Sequence, residues 1–181
     1  TINFNALEDL LSSFSIVMGD TVSVTDLGSR QYKIEHQLEE TDIEGDVSFL
    51  IRVTDLSGNI SEDIITTTDA SNVELDITKP LLTTVHIQSN NEFPSVAVIN
   101  NIVTLTYEAN EPLSNTSAII SNSSVSSTEI DGIYTANYTI NSTDTAVGGF
   151  VSFEIDFMDC PGNIGLTDST TSDDSFVSID V

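Results

Sequence analysis

Positive charge is almost missing from this chain. Four Lys+Arg stand against 29 Asp+Glu in 181 residues, a formal net charge of −25. That balance excludes the basic footprint of a nucleic-acid binder and disfavours adhesion to anionic lipid. It leaves cations, basic partners or plain solubility as its uses. Cysteine is nearly missing too: Cys160 stands alone, so no disulfide can form within the chain. Secreted domains often rely on such bridges, and here the cores must hold without them. An odd thiol can cross-link to another molecule, but Cys160 reads as a small apolar turn residue. No apolar run approaches the roughly 18–20 residues of a membrane-spanning helix, and the chain opens in a strand-like segment without a leader pattern. Glycine-rich phosphate loops, cysteine clusters and His-x-x-x-His spacings are also missing. Ser and Asp are so abundant that a Ser-His-Asp grouping carries no information. The expectation is a protein that is not an enzyme.

What is present is patterned. Hydrophobic residues make up 39%, enough to defeat the disorder that so acidic a composition otherwise favours. Roughly a quarter of the residues are Ser or Thr. Val, Ile and Thr dominate the patterned stretches and suit a pleated surface. Val47, Phe49, Ile51 and Val53 alternate with Ser48, Leu50, Arg52 and Thr54, and Val151, Phe153, Ile155 and Phe157 repeat the apolar set. Tyr32, Ile34, His36 and Leu38 form a second inward row, matched by Tyr134, Ala136, Tyr138 and Ile140. Alternation of this kind marks strands with one face on a core.

The rows recur because the chain is written twice. RVTDLSGN at 52–59 and DFMDCPGN at 156–163 share Asp-x-x-Gly-Asn, and aligning them gives an offset of 104. At that offset 47–60 lies on 151–164 and 73–77 on 177–181; 31–38 matches 133–140 at 102, and 1–11 matches 104–114 at 103. Indels of a residue or two belong in loops, so two copies of one unit are expected, at 1–77 and 78–181. In the second copy the alternation predicts strands near 83–88, 103–108, 116–121, 125–130, 133–140, 150–158 and 164–181, the last one broken. Seven short strands between turn signals make a β-sandwich. Asp-x-x-Gly-Asn itself reads as a strand connection. Its Asp accepts from backbone N–H groups two residues on, Gly tolerates positive φ, and Asn tolerates the left-handed region.

VTDLSGN followed by TTTDASNVELDITKP resembles the tandem bacterial immunoglobulin-like repeats of large surface proteins and adhesins. The resemblance implies an all-β chain of two tandem immunoglobulin-like β-sandwich domains, outside the cell, with neighbouring repeats as partners. Both copies carry the turn element, at 53–59 and 157–163, and the first carries the linker Asp76-Ile77-Thr78-Lys79-Pro80. Residues 78–103 supply the second unit's first strand and have no counterpart before Thr1. The first unit is therefore expected to lack its N-terminal strand. Either a longer array continues upstream, or another chain donates the strand and the molecule becomes a homopolymeric filament subunit.

Acidic residues suggest one ligand. In an immunoglobulin-type sandwich the loop with Glu39, Glu40, Asp42, Glu44 and Asp46 falls at the outgoing end of the first unit, and Asp76 is in the linker. The incoming end of the second unit carries Glu108, Glu111, Asp131, Asp159 and Asn163. Ca²⁺ takes six to eight hard oxygen ligands, so a junction site using Asp42, Glu44, Asp76, Glu111 and Asp159 is an expectation that would stiffen a rod. The competing reading is a solvated acidic surface. His36 reads as packed on the inward face and His86 as outward. Of five N-x-S/T sequons, Asn115 and Asn122 sit in loop-like contexts and would suit glycans in a secreted eukaryotic chain. A sugar-binding sandwich is disfavoured, because Phe4, Phe49, Tyr107 and Phe153 are claimed by the cores. The reading is an extracellular spacer or stalk, with the donor-strand filament as alternative.

Overall fold

The computed structural model describes residues 1–144 and 149–180. The chain is all-β and forms two compact units, Thr1–Ile77 and Thr78–Val181. Among the described residues no helix is long and apolar enough to cross a membrane.

The first unit contains β1 (Ile2–Asn5), β2 (Leu10–Val17), β3 (Asp20–Val22), β4 (Val24–Gly28), β5 (Gln31–Ile34), β6 (Gly45–Asp46), β7 (Phe49–Asp55) and β8 (Glu74–Leu75). One sheet runs β1-β5-β4 and the other β3-β2-β7, with β6 paired to β8. Val17, Ile34 and Ile51 meet between the two sheets, and Phe4, Val24, Val47, Phe49 and Val53 pack around them.

The second unit contains β9 (Leu82–Ser89), β10 (Val96–Ala97), β11 (Ile102–Ala109), β12 (Leu113–Ile120), β13 (Ser123–Val125), β14 (Ser127–Ile130), β15 (Ile133–Thr139), β16 (Phe153–Asp159) and β17 (Ser178–Ile179). Its sheets run β14-β15-β11-β9 and β13-β12-β16, with β10 paired parallel to β17. Val85, Leu105 and Tyr134 from one sheet pack with Ile120, Phe153 and Ile155 from the other in a single buried core. Each unit is thus a two-layer immunoglobulin-like sandwich. The pairing repeats in detail. A bulge lies between Leu10 and Ser12 where β2 meets β7, and another between Leu113 and Asn115 where β12 meets β16.

The second unit's first sheet has one strand more. Its β11 is sandwiched between β15 and β9, whereas β1, in the place of β11, pairs only with β5 among the described residues. Among the described residues, no strand of the first unit stands in the place of β9. The difference reaches the core: Phe4 stacks on Tyr32 at 5.2 Å as Tyr107 stacks on Tyr134 at 5.4 Å. Yet Tyr107 is wholly buried, with Val85 of β9 opposite it, and Phe4 is only half-buried.

Two strand expectations need correction. The strand expected at 125–130 is two strands in different sheets, because the chain crosses between layers at Ser126. The stretch expected as a broken strand at 164–181 is irregular up to β17, and its final Val181 lies outside the described residues. It meets the sheets through isolated bridges such as Met158 to Ile164 and Ile155 to Asp168, and through single backbone bonds such as Ser172 N to the Val85 carbonyl at 2.9 Å. Its serines explain why. Ser172 Oγ accepts from Val85 N at 3.0 Å and Ser175 Oγ from Ile87 N at 3.0 Å, so hydroxyls satisfy the outer edge of β9 where a strand would otherwise pair.

Candidate functional site

The duplicated turn shows how each carboxylate is engaged. In the first unit Asp55 Oδ1 accepts from the backbone N–H of Ser57 and of Asn59, both at 2.8 Å, and Oδ2 accepts from Asn59 Nδ2 at 2.7 Å. In the second, Asp159 Oδ1 accepts from Gly162 N and Asn163 N at 2.7 Å, and Oδ2 from Asn163 Nδ2 at 2.9 Å. Gly58 and Gly162 take φ of 88° and 111°, as the sequence pattern expects, but neither Asn59 nor Asn163 is left-handed. The asparagine is there for its amide, which closes the turn onto the aspartate. Bonds from Asn59 hold the Asp55 carboxyl below its ordinary range. Burial pushes the Asp159 carboxyl up, and the donors of Asn163 and Gly162 outweigh it, so the net shift is downward.

The residues expected to bind calcium fall in both units. Asp76 follows β8 in the first unit and is half-buried, and Glu44 is exposed beside β6. In the second unit Glu111, between β11 and β12, brings a carboxylate oxygen within 4.8 Å of Asp159. Both oxygens of Asp159 already accept bonds within its own turn. Asp42 has different company. One of its oxygens, a ring nitrogen of His36 and a carboxylate oxygen of Asp20 all lie within 4.8 Å of one another. His36 alternates inward as expected, but β5 ends at Ile34, and its ring faces Asp42 rather than packed apolar side chains alone.

His86 faces outward as expected, and its Nδ1 lies 2.6 Å from Asp173 Oδ2. Hydrogen bonds from Ser175 and the pairing with His86 lower the Asp173 carboxyl to about 2. Near this pair, Phe150 and Phe176 meet edge to face at 4.9 Å and are each about half exposed, at 47% and 48%. The expected strands at 150–158 and 164–181 included both rings, but in the structure both lie outside the regular strands, since β16 starts at Phe153 and β17 at Ser178. Arg30 donates to Asp9 at 2.9 Å and to the Leu7 carbonyl at 2.7 Å, so its charge is spent beside a shallow depression lined by Asp26 and Tyr32. Cys160 is exposed. Asn122 is exposed in the turn after β12, whereas Asn115 is exposed on β12 itself, at its bulge, and not in a loop.

No family model and no curated protein matches the chain. Among solved structures the chain is similar to fibronectin(III)-like modules of Clostridium thermocellum CbhA. The match has 13% identity and a TM-score of 0.36, and covers 98% of this chain and 85% of that one. A likeness at that level carries no argument about function.

Proposed function

We propose that this chain is a structural spacer of a large extracellular surface protein, of the bacterial immunoglobulin-like repeat kind, and that it is not an enzyme. Its partners are then neighbouring repeats of the same sort. The observation that carries the reading is the duplication of a whole strand-pairing scheme, down to the bulge in β2 and β12 and the Asp-x-x-Gly-Asn turn. Copied modules of this kind contact mainly their neighbours in sequence. A formal charge of −25 keeps such a thread soluble and discourages it from sticking to itself.

A second reading, a filament subunit polymerised by donor-strand exchange, is favoured by a feature of the first unit. Ser175, which satisfies the edge of β9, sits in a turn where Thr171 Oγ1 donates to the Ser175 carbonyl at 2.8 Å. The first unit builds the same turn, with Thr67 Oγ1 donating to the Ser71 carbonyl at 2.7 Å and Asp69 accepting from Ser71. There the turn has no strand to secure among the described residues. A strand arriving along β1 would meet a prepared edge and a prepared guard.

Immunogold electron microscopy of intact source cells separates these readings. Label on thin, irregular threads outside the cell supports the spacer, and label along an ordered helical polymer supports the filament. Label that appears only after the cells are permeabilised would sink both.

A further inference from the structure

The internal repeat provides its own control for the cluster around His36. In the second unit the matching positions are Ser123, Tyr138 and Asp144, taken from the strand registers Val17 to Asp20 and Ile120 to Ser123 and from the offset of 102 between His36 and Tyr138. There Tyr138 and Asp144 form a closed hydrogen-bond network with Asn141, and Ser123 bonds to Tyr138. Tyr138 donates its hydroxyl to Asp144 Oδ1 at 2.8 Å and accepts from Asn141 Nδ2 at 2.8 Å, while Asn141 N donates to Asp144 Oδ2 at 2.7 Å. The first unit keeps the backbone part: Glu39 N donates to Asp42 Oδ2 at 2.8 Å. The rest has changed. A hydroxyl has become the carboxylate of Asp20, and the phenol that bridged to the aspartate has become an imidazole.

The exchange leaves a specific vacancy in the bonding. His36 Nε2 is shut off from solvent and has no hydrogen-bond partner. It lies 3.5 Å from Asp42 Oδ2, too far for the charge-assisted bond such a pair otherwise makes. That separation does suit two ligands of one metal ion, since tetrahedral bonds of about 2.0–2.2 Å set ligand atoms about 3.3–3.6 Å apart. The Asp42 side chain is 10% exposed, so its carboxylate is held in place rather than loose in water. Asp20 is exposed and leaves a way in.

We infer that Asp20, His36 and Asp42 bind a divalent transition-metal ion of the zinc class, with water completing the sphere. One imidazole nitrogen and two carboxylates suit Zn²⁺, whereas Ca²⁺ and Mg²⁺ prefer oxygen alone. The ion ties the turn between β2 and β3 to the loop after β5. The assignment is independent of whether the chain spaces a surface protein or builds a filament.

The test is calorimetric titration of Zn²⁺ into the intact, chelator-treated chain, with Co²⁺ absorption as a second readout. The control is the double variant Asp20→Ser/His36→Tyr, which restores the second unit's residues at these two positions and its tyrosine-to-aspartate hydrogen bond. Expected is one Zn²⁺ per chain and a tetrahedral Co²⁺ band. In the double variant both are lost, or affinity falls at least about tenfold, with circular dichroism unchanged. His36→Gln is a second probe should the double variant fail to fold, and it is expected to lose the Co²⁺ band likewise. No Zn²⁺ uptake by the natural chain, undiminished uptake by the folded variants, or displacement of Zn²⁺ by millimolar Ca²⁺ would each overturn the assignment.

Discussion

Val53 and Phe157 hold the same place in the two copies, and so do Ser61 and Gly165. The backbone is the same at both: Ser61 N donates to the Val53 carbonyl at 2.9 Å and Gly165 N to the Phe157 carbonyl at 3.0 Å. The side chains have been traded against each other. A Cβ added to Gly165 would stand 2.2 Å from the Phe157 ring, which is itself buried, whereas Ser61 has room beside valine and accepts from Val53 N at 3.1 Å. Gly165→Ser is therefore expected to destabilise the second unit by about 1–3 kcal/mol through overpacking. Adding Phe157→Val should recover part of that loss, so that the pair is strongly non-additive in a double-mutant cycle. Chemical denaturation of the four variants checks it, and strict additivity would show that the two sites do not communicate. The Val53/Phe157 difference was open to a reader of the aligned copies, since it falls in the matched stretch 47–60 on 151–164, whereas Ser61 and Gly165 lie one residue past its end. The trio around His36 was harder. The alignment sets His36 against Tyr138, but Asp20 approaches through a turn that no periodicity describes.

Strands were legible wherever one face is apolar and the other polar, and illegible where they are too short to show a period. β10 and β17 are two residues each, and their parallel pairing depends on a long-range return of the chain. The segment before β17 shows another limit: its Ser-rich composition looks like loop, and its part in satisfying β9 appears only in three dimensions. The place beside β1 that no described strand fills matters energetically. Burying the equivalents of Val85 and Ile87 is worth roughly 3–6 kcal/mol, while a unit of this size has a net stability of only about 4–12 kcal/mol. The first unit is thus expected to be the weaker, and to gain from a strand laid along β1. A peptide with the sequence of Leu82–Ser89, added to the intact chain, should slow hydrogen exchange in β1 and raise the first unit's melting point by several degrees when present at about ten times its Kd. Exchange in β1 unaffected by the peptide would mean that the edge does not accept a strand of this kind.

For the molecule as a whole, charge sets the response to acid. Asp55, Asp63, Asp69, Asp159 and Asp173 all have carboxyls held below the ordinary range, by hydrogen bonds from Asn59, Arg52, Ser71, Asn163 and Ser175 among others. A carboxyl depressed in the folded state adds stability that is complete above its unfolded value, about 3.9, and is lost as pH falls through the folded value. Melting temperature is therefore expected to decline below about pH 3.9 and to go on declining toward pH 2, where Asp173 titrates. Unfolding already complete at pH 5 would contradict this. The composition told of the acidity but not of its placement, because an Asp fixed in a turn and one loose in water are spelled alike. One further consequence follows from the lone thiol. With no covalent cross-link inside either sandwich, a unit pulled from its ends can pay out its entire backbone, roughly 360 Å for the stretch from Thr78 to Val181 at about 3.5 Å per residue. Under tension each module would act as a yielding link, absorbing work as it opens and shortening again when the load is removed.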